Sequence, residues 1–308
     1  MPKFDETSKG VFIISVTPFT DDGALDLDGT DRLVDFYLSH GVTGITILGM
    51  MGEAPKLSAA ESRSFVEKVC RRVAGTIPVV VGVSSPGFAA MRELTMASMD
   101  SGASGVMVAP PSTLRSDKQI LDYFGMVAQT LMSVPFVLQD FPLSTAVQIP
   151  VSVLKTIAAQ IPSYVMLKHE DWPGLSKVTE LRDGLDQHER RVSILVGNGG
   201  LFLTEELSRG ADGAMTGFAF PEMMVRVCEL HAQGEIERAS DLFDAYLPLV
   251  RYEQQPGIGL AVRKHVLEAR GILGSSRVRK PGRGLDPLEI IEVNRLIGRQ
   301  NKRLGELN

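Results

Sequence analysis

Gly102-Ala103-Ser104-Gly105-Val106-Met107-Val108-Ala109-Pro110-Pro111 contains the unit from which the chain is built. Gly102 stands where a helix should stop, as the left-handed residue of a C-terminal cap does. Residues 105–110 then form a short, continuously apolar run closed by proline. A run that is apolar at every position, rather than at alternate ones, suits a strand covered on both faces, as in a parallel sheet. The same run recurs at residues 11–19, 44–49, 78–83, 135–142, 164–170, 193–198 and 213–218, with starts 20 to 34 residues apart. That is the spacing of a βα unit.

The stretches between these runs read as helices. Ser58 and Glu61 make a capping box, and Phe65, Val66, Val69, Cys70 and Val73 follow at helical spacing. Ser116 with Gln119 opens a second helix carrying Ile120, Phe124, Val127 and Leu131, and Gly41 and Gly210 repeat the helix stop of Gly102. Pattern alone admits an open doubly wound sheet, but eight strands in strict alternation with helices favour an α/β fold closed as a (β/α)8 TIM barrel. Beyond Pro221 the strand signal ends. Residues 222–233, 235–250, 257–270 and 287–303 all read as helices, more than one closing helix requires. The predicted organisation is a barrel over residues 1–221, then a closing helix plus a C-terminal helical appendage over residues 222–308.

Composition bounds the function. The 308 residues are 44% hydrophobic and 22% charged, with 32 Lys and Arg against 37 Asp and Glu, a net charge of −5. No basic footprint invites nucleic acid or an anionic membrane, so neither is an expected partner. Cys70 and Cys228 are too few for a disulfide framework or a thiolate metal site. The first ten residues lack the apolar core of a signal peptide, and no apolar run approaches the roughly 18 residues that span a bilayer. A cytoplasmic location is expected.

In such a barrel the active site lies at the C-terminal ends of the strands. Those ends carry Thr17, Gly49-Met50-Met51-Gly52-Glu53, Pro110-Pro111, Gln139-Asp140, Lys168-His169-Glu170, Asn198-Gly199-Gly200 and Thr216-Gly217-Phe218. Lys168 stands out, because it ends the apolar strand Tyr164-Val165-Met166-Leu167. Desolvation disfavours an ammonium and favours the neutral amine, the nucleophile for carbonyl carbon. The alternative is structural: Lys168 leaves the strand for solvent or simply pairs with Glu170. Strand period places Lys168 and Glu170 on one side and His169 on the other. An amine beside a carboxylate is a nucleophile with an acid/base partner, whereas His169 reads as a packing histidine. The glycine-bracketed turn at Met50 and Met51 has backbone N–H groups that suit a carboxylate, although its glycines also serve any tight turn. Asn198, Gly199 and Thr216 are candidate substrate contacts by strand-end position, as are Glu53 and Pro111 more weakly. The basic segment Arg277-Val278-Arg279-Lys280-Pro281-Gly282-Arg283 reads as a solvated loop.

Together these residues resemble the dihydrodipicolinate synthase and N-acetylneuraminate lyase family of Schiff-base aldolases. The resemblance runs from Val16-Thr17-Pro18-Phe19 through the C-terminal helices. It rests on Gly41-Val42-Thr43-Gly44, Gly49 to Glu53, Leu57 with Glu61, Val80 to Val83, Gly102 to Gly105, Pro110-Pro111, Lys168 and Gly210-Ala211-Asp212-Gly213. It implies a homotetrameric barrel whose strand-six lysine, here Lys168, forms a Schiff base with a 2-keto acid. No metal or organic cofactor is then needed. Three departures matter. The family's glycine-threonine-threonine-glycine-glutamate turn reads Met50-Met51, so both hydroxyls are missing, although the Met51 amide and Gly52 remain for carboxylate binding. The strand-five tyrosine that relays protons is Gln139, whose amide does not titrate near neutral pH. The synthase's arginine for its second substrate, five residues on, is Ser144.

Dihydrodipicolinate synthase activity is therefore not the leading expectation. Lys168 to Gly174, with Gln139 to Pro142, resembles the 2-keto-3-deoxy-L-arabonate dehydratase branch, which implies Glu170 as the catalytic base. The expected reaction dehydrates 2-keto-3-deoxy-L-arabonate to 2,5-dioxopentanoate. Two alternatives stay open: retro-aldol cleavage releasing pyruvate, and a barrel that binds a keto acid without turning it over.

Overall fold

The computed structural model describes residues 2–185 and 190–307. Eight parallel strands close into a barrel in chain order: β1 (Gly10–Ile14), β2 (Gly44–Ile47), β3 (Val79–Gly82), β4 (Gly105–Val108), β5 (Phe136–Asp140), β6 (Tyr164–His169), β7 (Ser193–Val196) and β8 (Gly213–Ala214). Helices α1 (Leu27–Ser39), α2 (Ala59–Val73), α3 (Phe88–Asp100), α4 (Asp117–Leu131), α5 (Pro142–Thr145), α6 (Val151–Gln160), α7 (Leu175–Leu185), α8 (Leu203–Ser208) and α9 (Pro221–Ala232) fall between and after the strands. The fold is the predicted TIM barrel.

Local sequence explains the boundaries. Ser58 accepts from the Glu61 N–H while Glu61 reaches back to the Ser58 N–H, so the capping box is complete. The helix-stopping Gly41, Gly102 and Gly210 take φ of +72°, +98° and +93°. All eight strands are shorter than their apolar runs, the first and the last by the most. After Ile14 the first run bends at Pro18, which has no N–H for a ladder, into a turn closed by the Phe19–Leu25 bridge. The last run continues beyond Ala214 as extended chain, with Met215 donating to the Val196 carbonyl at 2.8 Å and Ile14 to the Thr216 carbonyl at 2.9 Å.

Alternation along the strands sorts the core into two layers. Val11, Ile13, Ile45, Ile47, Val79, Val81, Val106, Val108, Leu138, Ile194 and Val196 point outward and bury against the helices. Phe12, Ile14, Val80, Met107, Val137, Met166, Leu195 and Met215 fill the barrel interior, and Phe4 joins them. The interior is therefore a solid apolar plug, and any polar side chain of the same parity stands at its upper end.

Three helices follow the closing helix α9: α10 (Ile236–Glu253), α11 (Gly259–Ala269) and α12 (Pro287–Glu306). Their attachment to the barrel corrects two sequence readings. Glu53 is 1% exposed and its carboxylate is spent on structure. It accepts from Lys264 Nζ of α11 at 2.6 Å, from Lys56 Nζ at 2.8 Å and from the Arg279 N–H at 2.9 Å. The segment around Arg279, expected to be solvated, is instead pinned across the turn after β2. Lys264 donates to the Arg277 carbonyl at 2.8 Å, and the Arg279 guanidinium lies over the Phe19 ring and pairs with Glu61. The stretch thus reaches Glu53 through the Arg279 backbone N–H, while the Arg279 guanidinium is held by Glu61 and Phe19. Burial pulls the Lys264 ammonium down to about 8 against the attraction of Glu53. Glu53→Ala leaves that ammonium buried without its carboxylate. The expected cost is about 3–5 kcal/mol in urea unfolding; a loss under about 1 kcal/mol would show the cluster to be energetically idle.

Candidate active site

The parity of the interior fixes where the chemistry stands. Gln139 is two residues beyond Val137, Lys168 two beyond Met166 and Gly197 two beyond Leu195, so all three share the inner face at the C-terminal end of the barrel. Gln139 and Lys168 are also register partners on β5 and β6. Lys168 Nζ lies 3.0 Å from Glu170 Oε2, and both side chains are 7% exposed. Gln139 Nε2 donates to the same carboxylate oxygen at 2.7 Å. The Asn198 N–H approaches Glu170 Oε1 at 3.3 Å, and Asn198 Nδ2 donates to the Glu170 carbonyl at 3.0 Å. Glu170 is thus held by strands five, six and seven together, with its carboxylate against the lysine amine.

The other candidates are arranged around this group. The turn after β2 is a short 3-10 helix, Met50–Gly52, whose Gly52 carbonyl accepts from Thr17 Oγ1 at 2.6 Å. Met51 packs on the interior plug, while Met50 is half-exposed with its sulfur 3.1 Å from Ser144 Oγ. Gly199, with φ of +67°, begins a turn against which Gln254 of the C-terminal appendage is packed. Thr216 is buried beside Gly200. Pro111 sits in the turn leaving β4, where its carbonyl accepts from the Leu114 N–H at 3.3 Å. His169 faces outward and its Nε2 meets the Gly174 carbonyl at 3.2 Å; burial holds its imidazolium down at about 4, so the ring is neutral. Trp172 and Phe202 pack edge to face, 6.0 Å apart and both exposed, on the loops leaving β6 and β7.

Residues 7–298 match the dihydrodipicolinate synthetase family. The chain belongs to that family. Within it, L-2-keto-3-deoxyarabonate dehydratase of Azospirillum brasilense is 30% identical over 91% of this chain and 90% of its own. The 4-hydroxy-tetrahydrodipicolinate synthase of Methanocaldococcus jannaschii is 29% identical over 79% of this chain and 82% of its own. Among solved structures, dihydrodipicolinate synthase from Rhodopseudomonas palustris superposes with a TM-score of 0.95 at 51% identity, covering 97% of this chain and all of that one. Family membership makes the chain a lyase of the aldolase class. Among the described residues no helix is long and apolar enough to cross a membrane.

Several residues that shape this family site carry no sequence signal. Thr46 shares the inner parity of β2, is fully buried, and its hydroxyl has no partner. Gly197 is required for space: a Cβ there would fall 2.2 Å from Glu170 Cγ. Glu206 on α8 is buried, and burial, with the charges of Glu205 and Glu170, pushes its carboxyl up to about 8 from an ordinary 4.5. Gly197→Ala displaces the Glu170 carboxylate and should lower turnover roughly 100-fold while the protein stays folded; unchanged turnover would show that Glu170 tolerates other placements. For Glu206, the folded state keeps its proton between about pH 4.5 and 8 while the unfolded chain releases it, so this residue makes stability fall as pH rises through that window. Glu206→Gln should remove that fall, gaining about 2–4 kcal/mol on wild type between pH 5 and 8 in urea titrations. Parallel pH profiles for the two proteins would contradict the assignment.

Proposed function

We propose that this protein is a Schiff-base-forming lyase that dehydrates a 2-keto-3-deoxy sugar acid, with 2-keto-3-deoxy-L-arabonate giving 2,5-dioxopentanoate. The observation that carries the reading is the buried contact of Lys168 Nζ with Glu170 Oε2 at 3.0 Å, in a site where Gln139 occupies the strand-five position. An inner-face amide orients Glu170 but cannot shuttle protons, so the carboxylate beside the lysine is the group left to do so. The arabonate-type relative, aligned over 91% of the chain, supports the same substrate class.

The residues divide the work as follows. The neutral amine of Lys168 adds to the C2 carbonyl, and loss of water, with a proton from solvent, gives an iminium. The iminium is an electron sink, so Glu170 removes a C3 proton and an enamine forms. The enamine pair expels the C4 hydroxyl, which leaves as water with the proton carried by Glu170. Glu170 takes a C5 proton and returns it to C3, which leaves C4–C5 as an enol on the re-formed iminium; the enol tautomerises to the C5 aldehyde, and water releases the product from Lys168. One water is lost overall. The first N–H groups of a 3-10 turn have no acceptor within it, so those of Met50 and Met51, beside Gly52, are assigned to the substrate carboxylate. Asn198, Gly199 and Thr216 are assigned to the hydroxyl-bearing tail.

The 51% identity to the Rhodopseudomonas palustris synthase favours a second reading, condensation of a keto acid with an aldehyde at the same lysine. Against it stand Ser144, which has no charge for a second carboxylate, and the missing strand-five phenol. Incubation with 2-keto-3-deoxy-L-arabonate, followed by proton NMR, separates these readings. The expected product is the dehydrated semialdehyde, with turnover abolished in Lys168→Ala. Full turnover in that variant would overturn the scheme, and release of pyruvate would replace dehydration by cleavage.

A further inference from the structure

We propose that Lys177, which lies outside the barrel wall, is a positioning residue for the Glu170 carboxylate. The inference rests on the acid/base role given to Glu170 above. Lys177 belongs to α7, and its ammonium is buried between two carboxylates, 2.6 Å from Asp140 Oδ2 and 2.9 Å from Asp171 Oδ2. Asp140 directly follows Gln139 on β5, and Asp171 directly follows Glu170 at the exit of β6. The two preceding side chains meet each other on the inner face, where Gln139 Nε2 donates to Glu170 Oε2 at 2.7 Å. One cation therefore ties, from behind, the two backbone segments whose inward side chains, Gln139 and Glu170, are hydrogen-bonded to each other.

Alternation makes the arrangement indirect. Residues adjacent in an extended chain point to opposite faces, so Asp140 and Asp171 turn away from the interior that Gln139 and Glu170 face. Lys177 consequently never meets substrate. The backbone supports the tie, because the Glu170 N–H donates to the Asp140 carbonyl at 2.9 Å. Asp140 is fully buried, and its Oδ1 has no partner. Burial pushes its carboxyl up to about 6 despite the attraction of Lys177, so removing Lys177 removes what keeps it ionised. The next basic group, His169 Nδ1 at 3.9 Å, is neutral and offers no replacement. Without the ammonium, Asp171 is tied only to its neighbour Trp172, whose N–H it accepts at 2.8 Å, and the segment bearing Glu170 is free to shift.

The test uses pyruvate as probe, so it does not depend on the sugar acid. Two rates are read for each protein: exchange of the pyruvate methyl protons in D2O by NMR, and borohydride trapping of pyruvate on Lys168 by intact mass. Exchange reports the proton abstraction given to Glu170, and trapping reports the lysine alone. Lys177→Met should slow exchange at least about tenfold and leave trapping within about threefold of wild type. Lys177→Arg should recover exchange to within about threefold. In a Glu170→Gln background, adding Lys177→Met should change exchange by less than about twofold, since a residue acting through Glu170 has nothing left to position. Wild-type exchange in Lys177→Met, trapping that falls in step with exchange, or the same tenfold loss in the Glu170→Gln background would each overturn the proposal. Where Lys177→Met does not fold, Asp171→Asn, which keeps the Asp140 contact, should show the same selective loss at about threefold; unchanged exchange there would overturn it too. Failure of the underlying reading is distinct: no adduct on Lys168 of the wild-type protein, or undiminished exchange in Glu170→Gln, would end both.

Discussion

Lys168 and Glu170 are two residues apart on one strand, and that spacing sets an amine and a carboxylate 3.0 Å apart at the end of a closed barrel. A buried carboxylate of this kind is stabilised when its remaining lone pairs are met. The surrounding site can be understood as the means of meeting them. Gln139 comes from β5 and Asn198 from the turn after β7, so three strands converge on one carboxylate. Below it, the apolar plug excludes water, and beside it Gly197 leaves the space the Glu170 side chain occupies.

The chain also manages a second buried carboxylate, with the opposite outcome. Glu53 lies in the turn after β2, just past the 3-10 helix Met50–Gly52, and its oxygens are used by Lys264, Lys56 and the Arg279 backbone. These contacts fasten the C-terminal helices to the turn that carries Met50 and Met51. The catalytic assignment and the structural one are separated by supply of cations: Glu53 has two ammonium groups and a backbone donor, while Glu170 has the single amine proposed to react. Gln254, packed against Gly199, brings the same helical appendage to the other side of the mouth.

The barrel was legible because its signals are periodic. Continuous apolar runs at βα spacing, helix-stopping glycines and a complete capping box at Ser58 all act locally, so residues close in sequence suffice to read them. That Lys168 and Glu170 share one side followed from strand period in the same way. What could not be read depends on contacts between distant segments. Nothing in the sequence around Lys177 shows that it meets Asp140, and nothing in the Arg277–Arg283 stretch shows that its backbone meets a buried Glu53. Glu53 itself reads as a strand-end candidate until two of its partners, Lys264 and Arg279, more than 200 residues away in the chain, are known. Sequence position gives a side chain's direction, but not whether its charge is already used.

In the proposed reaction Lys168 and Glu170 have separable duties, one forming the covalent link and the other moving the proton. Glu170→Gln keeps the size of the carboxylate and one acceptor oxygen but removes its basicity. Peptide mapping after borohydride reduction with 2-keto-3-deoxy-L-arabonate should find an adduct on Lys168 of this variant carrying the intact, undehydrated substrate. A dehydrated adduct, or no adduct on Lys168, would contradict the division of roles.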